Sequence, residues 1–384
     1  MMKNNKLSLI SNDDDIAFYK QVSDLLVAAR KHAKRQMDNT VAVTRFLVGY
    51  MIVEREQQGQ KRAKYGSQLI KGLSDYLTEH LGGGFSITNL KYMRTFYTVF
   101  ASSKGQMLSD LFEECNNLLD IFNLNTKKSQ ILSDLFKLDW SQYQILMRVT
   151  DESARNFYEI ETETQQWTYK QLQRQVGSSL YERLALSRDK DEVMKLSNKG
   201  QVVENPRDIF KTPYIFEFTG LDEKNHYSET DLEVALIDNM QKFLLELGKG
   251  FLYEARQKRF TFDEDSFYLD LVLYNRLLQC YVIIDLKIGK LKHQDLGQMQ
   301  MYVNYFDRYV KRDFEKPTVG ILICEDRKDK IVEMTLPKDS NIYASEYSLY
   351  LPDKDTLQSK LAEWIEEFEE NQEMHKLVNG GDDE

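Results

Sequence analysis

Through the first 200 residues apolar side chains recur at steps of three and four. Leu69, Ile70, Leu73, Tyr76 and Leu77 form one such set, and Leu90, Met93, Phe96, Tyr97 and Phe100 another. That spacing gathers them on one face of a helix. No proline interrupts it, because all five lie in the second half of the chain. The pattern predicts an all-helical N-terminal domain over residues 15–185. Within it, YGSQLIKGLSDYLTEHLGGG reads as a helix stopped by three glycines, and Ser86 as the cap of a second helix, SITNLKYMRTFY. Helix, glycine turn and helix suit a helix-turn-helix unit. The aromatic residues Tyr92, Phe96, Tyr97 and Phe100 read as its core. A polar stretch broken by Gly200 and Pro206 then predicts a linker over 186–210.

Past the linker the period changes. A helix is predicted from about Glu229 to Glu246, followed by strand-like runs LYEARQKRFTF, SFYLDLVLY and CYVIIDLKI. A helix over about Lys292 to Phe306 comes next, then strands TVGILICE and SEYSLYL. Helix, antiparallel strands, helix and strand make an α+β core over 211–355. A last helix from about Thr356 carries Leu357, Leu361, Trp364 and Phe368 on one face and leads into an acidic tail, so that 356–384 stands apart.

Composition changes this picture little. A chain of 384 residues with 42% hydrophobic and 29% charged content is that of a two-domain globular protein. The N-terminus lacks the apolar core of a signal peptide, and FLVGYMIV (46–53) is too short to span a bilayer. Cys280 and Cys324 lie in apolar runs and read as reduced core thiols. These features predict a cytoplasmic protein with no membrane partner. The net charge of −10 weighs against a nucleic-acid partner until its distribution is considered. The segment from Leu361 to Glu384 holds nine acids and one lysine, so the body is near neutral and has room for basic patches.

The chemistry concentrates in one hairpin. SFYLDLVLY and CYVIIDLKI are joined by NRLLQ, short enough for antiparallel pairing. Asp285 and Lys287 point to one face because side chains alternate along a strand. Pairing around the turn can bring Asp270 to them. Two crowded carboxylates repel unless a hard cation lies between them, and Mg²⁺ suits two carboxylates with water and phosphate oxygens. A lysine beside such a site can orient or deprotonate the attacking water. The other reading of the triplet alone is a salt-bridged hairpin end. Asp222-Glu223-Lys224 and Asp326-Arg327-Lys328 have the same spacing in polar, loop-like contexts.

The ordered set resembles the PD-(D/E)xK nucleases. Asp270 matches the first motif acid, Asp285-Leu286-Lys287 the (D/E)xK triplet, and Glu233 the helix acid. Gln298 and Tyr302 match the QxxxY element of the RecB-like branch. Leu269 replaces the nominal proline, and aspartate stands at 285 where glutamate is commoner. Longer stretches, 59–97, 138–176, 243–251 and 285–307, are similar to the YhcG family of bacterial PD-(D/E)xK proteins, with Phe46 where that family is expected to have tryptophan.

The resemblance implies a restriction-endonuclease-like α/β core with a mixed sheet flanked by helices, preceded by a winged-helix-like module. It implies a Mg²⁺- or Mn²⁺-dependent deoxyribonuclease, with Asp270, Asp285 and Glu233 as metal ligands and Lys287 beside the nucleophile. Gln298 and Tyr302 are expected at the DNA, Lys290, Lys292 and His293 at phosphates near the site, and Lys91 and Arg94 at phosphates along the second helix, with Lys61, Arg62 and Lys64 just before the helix-turn-helix unit. DNA is the implied partner, with a homo-oligomer or another protein as further candidates. The alternative is a non-catalytic or partner-activated DNA-binding or assembly protein on the same fold, in a phage-defence or mobile-element setting.

Overall fold

Gly49 lets two long helices touch. In this computed structural model, which describes residues 13–58, 63–113, 135–186, 190–211, 213–221, 227–262, 264–337, 340–359 and 361, the chain packs as two units that divide between Thr150 and Asp151. The first holds α1 (Asp13–Gln58), α2 (Ala63–Leu81), α3 (Ile87–Glu113) and α4 (Trp140–Leu146). A Cβ at Gly49 would fall 2.1 Å from the Met93 carbonyl oxygen, so only glycine permits the α1–α3 approach. Phe46 is buried there against Phe96, Tyr97 and Phe136, with ring centroids 5.1–5.6 Å apart.

The expected helix-turn-helix shape is present. Gly82 and Gly84 take positive φ (85° and 107°) between α2 and α3, and Ser86 Oγ accepts the Asn89 backbone N–H at 3.3 Å. Phe96 and Phe100 are fully buried, whereas Tyr92 and Tyr97 are half-buried.

The second unit begins with short helices α5 (Glu152–Gln165), α6 (Tyr169–Gly177), α7 (Leu180–Leu186) and α8 (Lys190–Lys199). Part of the expected linker is therefore helix α8, because Val193 and Leu196 are buried rather than solvated. These helices join the remaining core through buried charges. Glu246 is fully buried and accepts from Arg183 at 2.6 Å and Arg174 at 3.1 Å, while Lys211 Nζ donates to its backbone carbonyl.

The core contains β1 (Tyr214–Ile215), α9 (Glu229–Asp238), α10 (Met240–Leu247), β2 (Phe251–Phe262), β3 (Asp265–Asn275), β4 (Cys280–Lys290), α11 (His293–Tyr305), β5 (Val319–Asp326), α12 (Asp329–Thr335) and β6 (Ile342–Ser348). The one helix expected from 229 to 246 is two, broken at Asn239, whose side-chain amide donates to the Ala235 carbonyl. The six strands form one mixed sheet in the order β1-β6-β5-β4-β3-β2. β2, β3 and β4 are antiparallel neighbours, and β4, β5, β6 and β1 run parallel.

Both faces of this sheet are covered. One buried cluster joins Leu271, Leu273, Val282, Ile284 and Leu286 to α9 and α10. The other joins Val272, Ile283 and Leu322 to Leu296, Met299 and Val303 of α11. This is the mixed α+β architecture expected. Cys280 and Cys324 are buried free thiols within it. Most of the expected C-terminal helix and tail, and Cys115, lie outside the described residues. No described helix is long and apolar enough to cross a membrane.

Candidate active site

The site forms where β3 and β4 part. Their last ladder pair is Leu271–Ile284, and the next residues on either strand are Asp270 and Asp285. Instead of continuing the ladder, Asp270 Oδ2 accepts the Leu286 backbone N–H at 2.8 Å. Asp285 is buried, 3% exposed, and Lys287 Nζ lies 2.8 Å from its Oδ2. The two groups form a buried ion pair in which the Lys287 ammonium serves Oδ2. The hairpin thus delivers two acids and a lysine to one place, and the salt bridge of the plainer reading is part of it.

Helix α9 supplies two more acids. Its start is fixed by a capping box in which Ser228 Oγ accepts the Asp231 N–H and Asp231 Oδ2 accepts the Ser228 N–H. One turn apart on the helix it starts, Glu229 and Glu233 serve opposite sides of the site. Glu229 Oε2 is 3.7 Å from Lys287 Nζ, and its Oε1 accepts the Ile288 N–H. Glu233 is buried, and its Oε2 accepts from Gln257 Nε2 at 2.7 Å. Gln257 Nε2 also donates to Asp270 Oδ1 at 3.0 Å.

Gly289 explains the glycine after the DxK triplet. It takes φ +81° at a register break between Lys287 and Lys290, and its N–H donates to Glu325 Oε2 at 2.8 Å. Glu325 Oε1 in turn accepts from the hydroxyls of Tyr227 and Tyr347.

Electrostatics follows from burial. Desolvation pushes the Asp285 carboxyl up to about 7, with the charge of Asp270 adding to the rise and Lys287 offsetting part of it. Burial also raises Glu233, again with Asp270 adding to it. For Lys287, burial favours the neutral amine, but the charges of Asp285, Glu229 and Asp270 prevail and hold it protonated. Lys287 is thus a cation that can orient water or stabilise phosphate charge.

Other predicted residues sort by exposure. Gln298 is exposed on α11 and donates to the Tyr302 hydroxyl at 2.5 Å, while Tyr302 is buried and donates to the Tyr268 carbonyl at 3.2 Å. The surface of the QxxxY element is therefore Gln298, with Tyr302 behind it. Lys290, Lys292 and His293 are exposed where β4 leads into α11. In the first unit Lys91 is exposed, whereas Arg94 is paired with Glu56 at 3.0 Å. Lys61, Arg62, the Lys64 side chain and the Asp222-Glu223-Lys224 triplet lie outside the described residues. Asp326 and Lys328 pair with each other at 2.9 Å at the solvated end of β5.

The donor set is hard oxygen, and the buried oxygen Glu233 Oε1 lacks a hydrogen-bond donor. Both features fit a divalent cation of the Mg²⁺ type, completed by water and phosphate. The three expected ligands are not gathered into a closed shell, however. Among the described residues no three His, Cys, Asp or Glu side chains converge on one point, and the link between Glu233 and Asp270 runs through the Gln257 amide.

Sequence reasoning missed Gln257, Glu229 and Glu325. Gln257 had one local signal only in the structure, a φ of +44° that costs an L-residue about 1–2 kcal/mol. Glu325 sits on β5, whose register no motif reveals, and Glu229 lies one turn before the motif acid Glu233 on α9.

A profile described as the YhcG PDDEXK nuclease domain matches residues 207–362, and one described as the DUF1016 N-terminal domain matches 21–183. An Escherichia coli (strain K12) protein named "Putative nuclease YhcG" is 35% identical over 360 residues, covering 90% of this chain and 94% of that one. The chain belongs to the YhcG family. Asp270, Asp285 and Lys287 fall inside its nuclease domain, and the DUF1016 N-terminal match extends beyond Thr150 to include α5, α6 and part of α7. Two solved structures share partial likeness. A repair endonuclease from Pyrococcus abyssi is 16% identical, with 34% of this chain and 50% of that chain covered and a TM-score of 0.24. A complex of EndoMS with double-stranded DNA is 13% identical, with 35% and 51% covered and a TM-score of 0.23. At such TM-scores nothing about this chain rests on the likeness.

Proposed function

We propose that this YhcG-family protein is a metal-dependent deoxyribonuclease that hydrolyses phosphodiester bonds at the end of the β3–β4 hairpin. The observation that carries the reading is the meeting of Asp270, Asp285 and Lys287 where the ladder ends. Asp270 and Asp285 would hold Mg²⁺ or Mn²⁺, with Glu233 as an outer ligand. The cation when bound supplies Lewis acidity and a lowered pKa for water. Lys287, kept protonated by Asp285 and Glu229, orients the attacking water and balances charge on the phosphate. Gln298 faces the substrate from α11, with Tyr302 bracing its amide, and Lys290 and Lys292 offer phosphate contacts at the rim. The N-terminal domain docks DNA or a partner through α3, with Lys91 as its exposed cation.

The test is cleavage of supercoiled, linear and branched DNA with Mg²⁺, with Mn²⁺ or with EDTA, comparing wild type and Lys287→Ala. Metal-dependent cleavage lost in the variant supports the reading, and the substrate profile defines the preferred DNA. DNA binding without cleavage moves the partner-activated or assembly alternative ahead.

A further inference from the structure

Gln257 lies outside every sequence motif, yet it is the residue that joins two of the site's acids. The flanking pairs Arg256–Leu271 and Lys258–Leu269 set it opposite Asp270, and at that point β2 turns into the left-handed region. Glycine would adopt this backbone without penalty. A non-glycine residue persists in such a conformation when its surroundings over-determine it, and such outliers cluster at functional sites.

The side chain indicates what is gained. The Nε2 group has two protons and donates one to Glu233 Oε2 and one to Asp270 Oδ1. Two carboxylates this close repel one another. A neutral amide holds them apart at fixed spacing without cancelling either charge, which a lysine or arginine would do. It also leaves Glu233 Oε1, buried and without a hydrogen-bond donor, available to another ligand. Arg256 Nε, at 3.9 Å, is beyond hydrogen-bond reach of that oxygen.

We infer that Gln257 is a positioning residue for the divalent-cation site, setting the spacing and orientation of Glu233 and Asp270. The inference rests on the proposed metal-dependent reading of that site. Groups that orient metal ligands in this way are typically worth about 10–100-fold in affinity or activity.

The test uses the full chain as wild type, Gln257→Gly and Gln257→Ala. Mn²⁺ binding is measured by titration calorimetry without DNA, alongside thermal unfolding in EDTA and Mn²⁺-dependent cleavage. Gln257→Gly is expected to remain folded, because relief of the positive-φ backbone offsets part of the cost of leaving the two carboxylates without the amide's hydrogen bonds. Both variants are expected to bind Mn²⁺ about 10–100-fold more weakly, and to need correspondingly more Mn²⁺ for half-maximal cleavage, with a smaller loss at saturation. Wild-type Mn²⁺ affinity in folded Gln257→Gly would overturn the assignment while leaving the nuclease reading intact. A Gln257→Gly chain that fails to fold would overturn it too, by giving the residue to the fold. Wild type that binds no Mn²⁺ would overturn both.

Discussion

Asp270 and Leu286 are joined across the β3–β4 opening by a 2.8 Å hydrogen bond from the Leu286 N–H to the Asp270 carboxylate. The first motif acid is thereby tied to the middle of the Asp285-Leu286-Lys287 triplet. A side chain takes the place of a backbone rung, and the two strands can diverge without orphaning a buried N–H.

This bond separates the structural role of Asp270 from its chemical one. Leu286 is fully buried, so Asp270→Ala should leave an unpaired N–H and cost about 1–3 kcal/mol. Asp270→Asn keeps an oxygen acceptor for the Leu286 N–H while losing the one for Gln257 Nε2, so it should be less destabilised than Asp270→Ala while losing cleavage. Urea unfolding in EDTA measures the first effect. Equal destabilisation by both substitutions would contradict the role of this bond.

Asp285 should make the metal-free protein sensitive to pH near neutrality. Its carboxyl stands at about 7 in the fold against a usual value near 3.8. The penalty for ionising it is therefore present above about pH 7 and is relieved as pH falls from there towards 4. In EDTA, wild type should gain stability between pH 8 and pH 5, and Asp285→Asn should flatten that dependence. Mn²⁺ must displace the same proton, so its affinity should rise with pH up to about 7 and then level. A pH-independent affinity between 5 and 7 would refute this.

Glu246 has the opposite sign. Burial alone would raise its carboxyl, but the charges of Arg183, Lys211 and Arg174 outweigh burial and hold it down at about 2. Its stabilisation is present above its unfolded value near 4.5 and is lost as pH falls from there towards 2. Glu246→Ala, which leaves Arg183 buried and unpaired, should cost about 3–5 kcal/mol at pH 7. Denaturant unfolding checks this, and a loss under 1 kcal/mol would show that the cluster does not lock the helices to the core.

What was legible in the sequence depended on range. Asp285 and Lys287 could be read because a strand end writes its spacing into consecutive residues. Asp270 followed from a short turn that fixes register. Gln257 could not be read, since its link to Asp270 and Glu233 depends on β2–β3 pairing and on a strained dihedral. Glu246 looked like an ordinary residue of an amphipathic helix, because its partners are 63 and 72 positions away. The break at Asn239 was hidden by an apolar period that continues across it. Tyr302 was placed correctly on its helix, but the spacing did not tell that its hydroxyl would be taken up inside.

In the N-terminal domain, exposure separates the two expected phosphate contacts. Lys91→Ala should weaken DNA binding to all sequences alike and reduce the salt slope by about 1. Arg94→Ala first breaks the pair with Glu56, so its effect on the slope should be smaller. Fluorescence anisotropy over a salt series decides between them, and equal slopes for wild type and Lys91→Ala would remove α3 from the interface.

The most direct test of the central claim is single-turnover cleavage of a labelled duplex by wild type and by Asp285→Asn, purified in parallel, with Mg²⁺ and with EDTA. The account predicts Mg²⁺-dependent cleavage by wild type, none in EDTA, and a loss of at least about 10²-fold in Asp285→Asn despite an intact fold, the scale of removing one group that stabilises transition-state charge. Cleavage that survives Asp285→Asn, or that persists in EDTA, would contradict it.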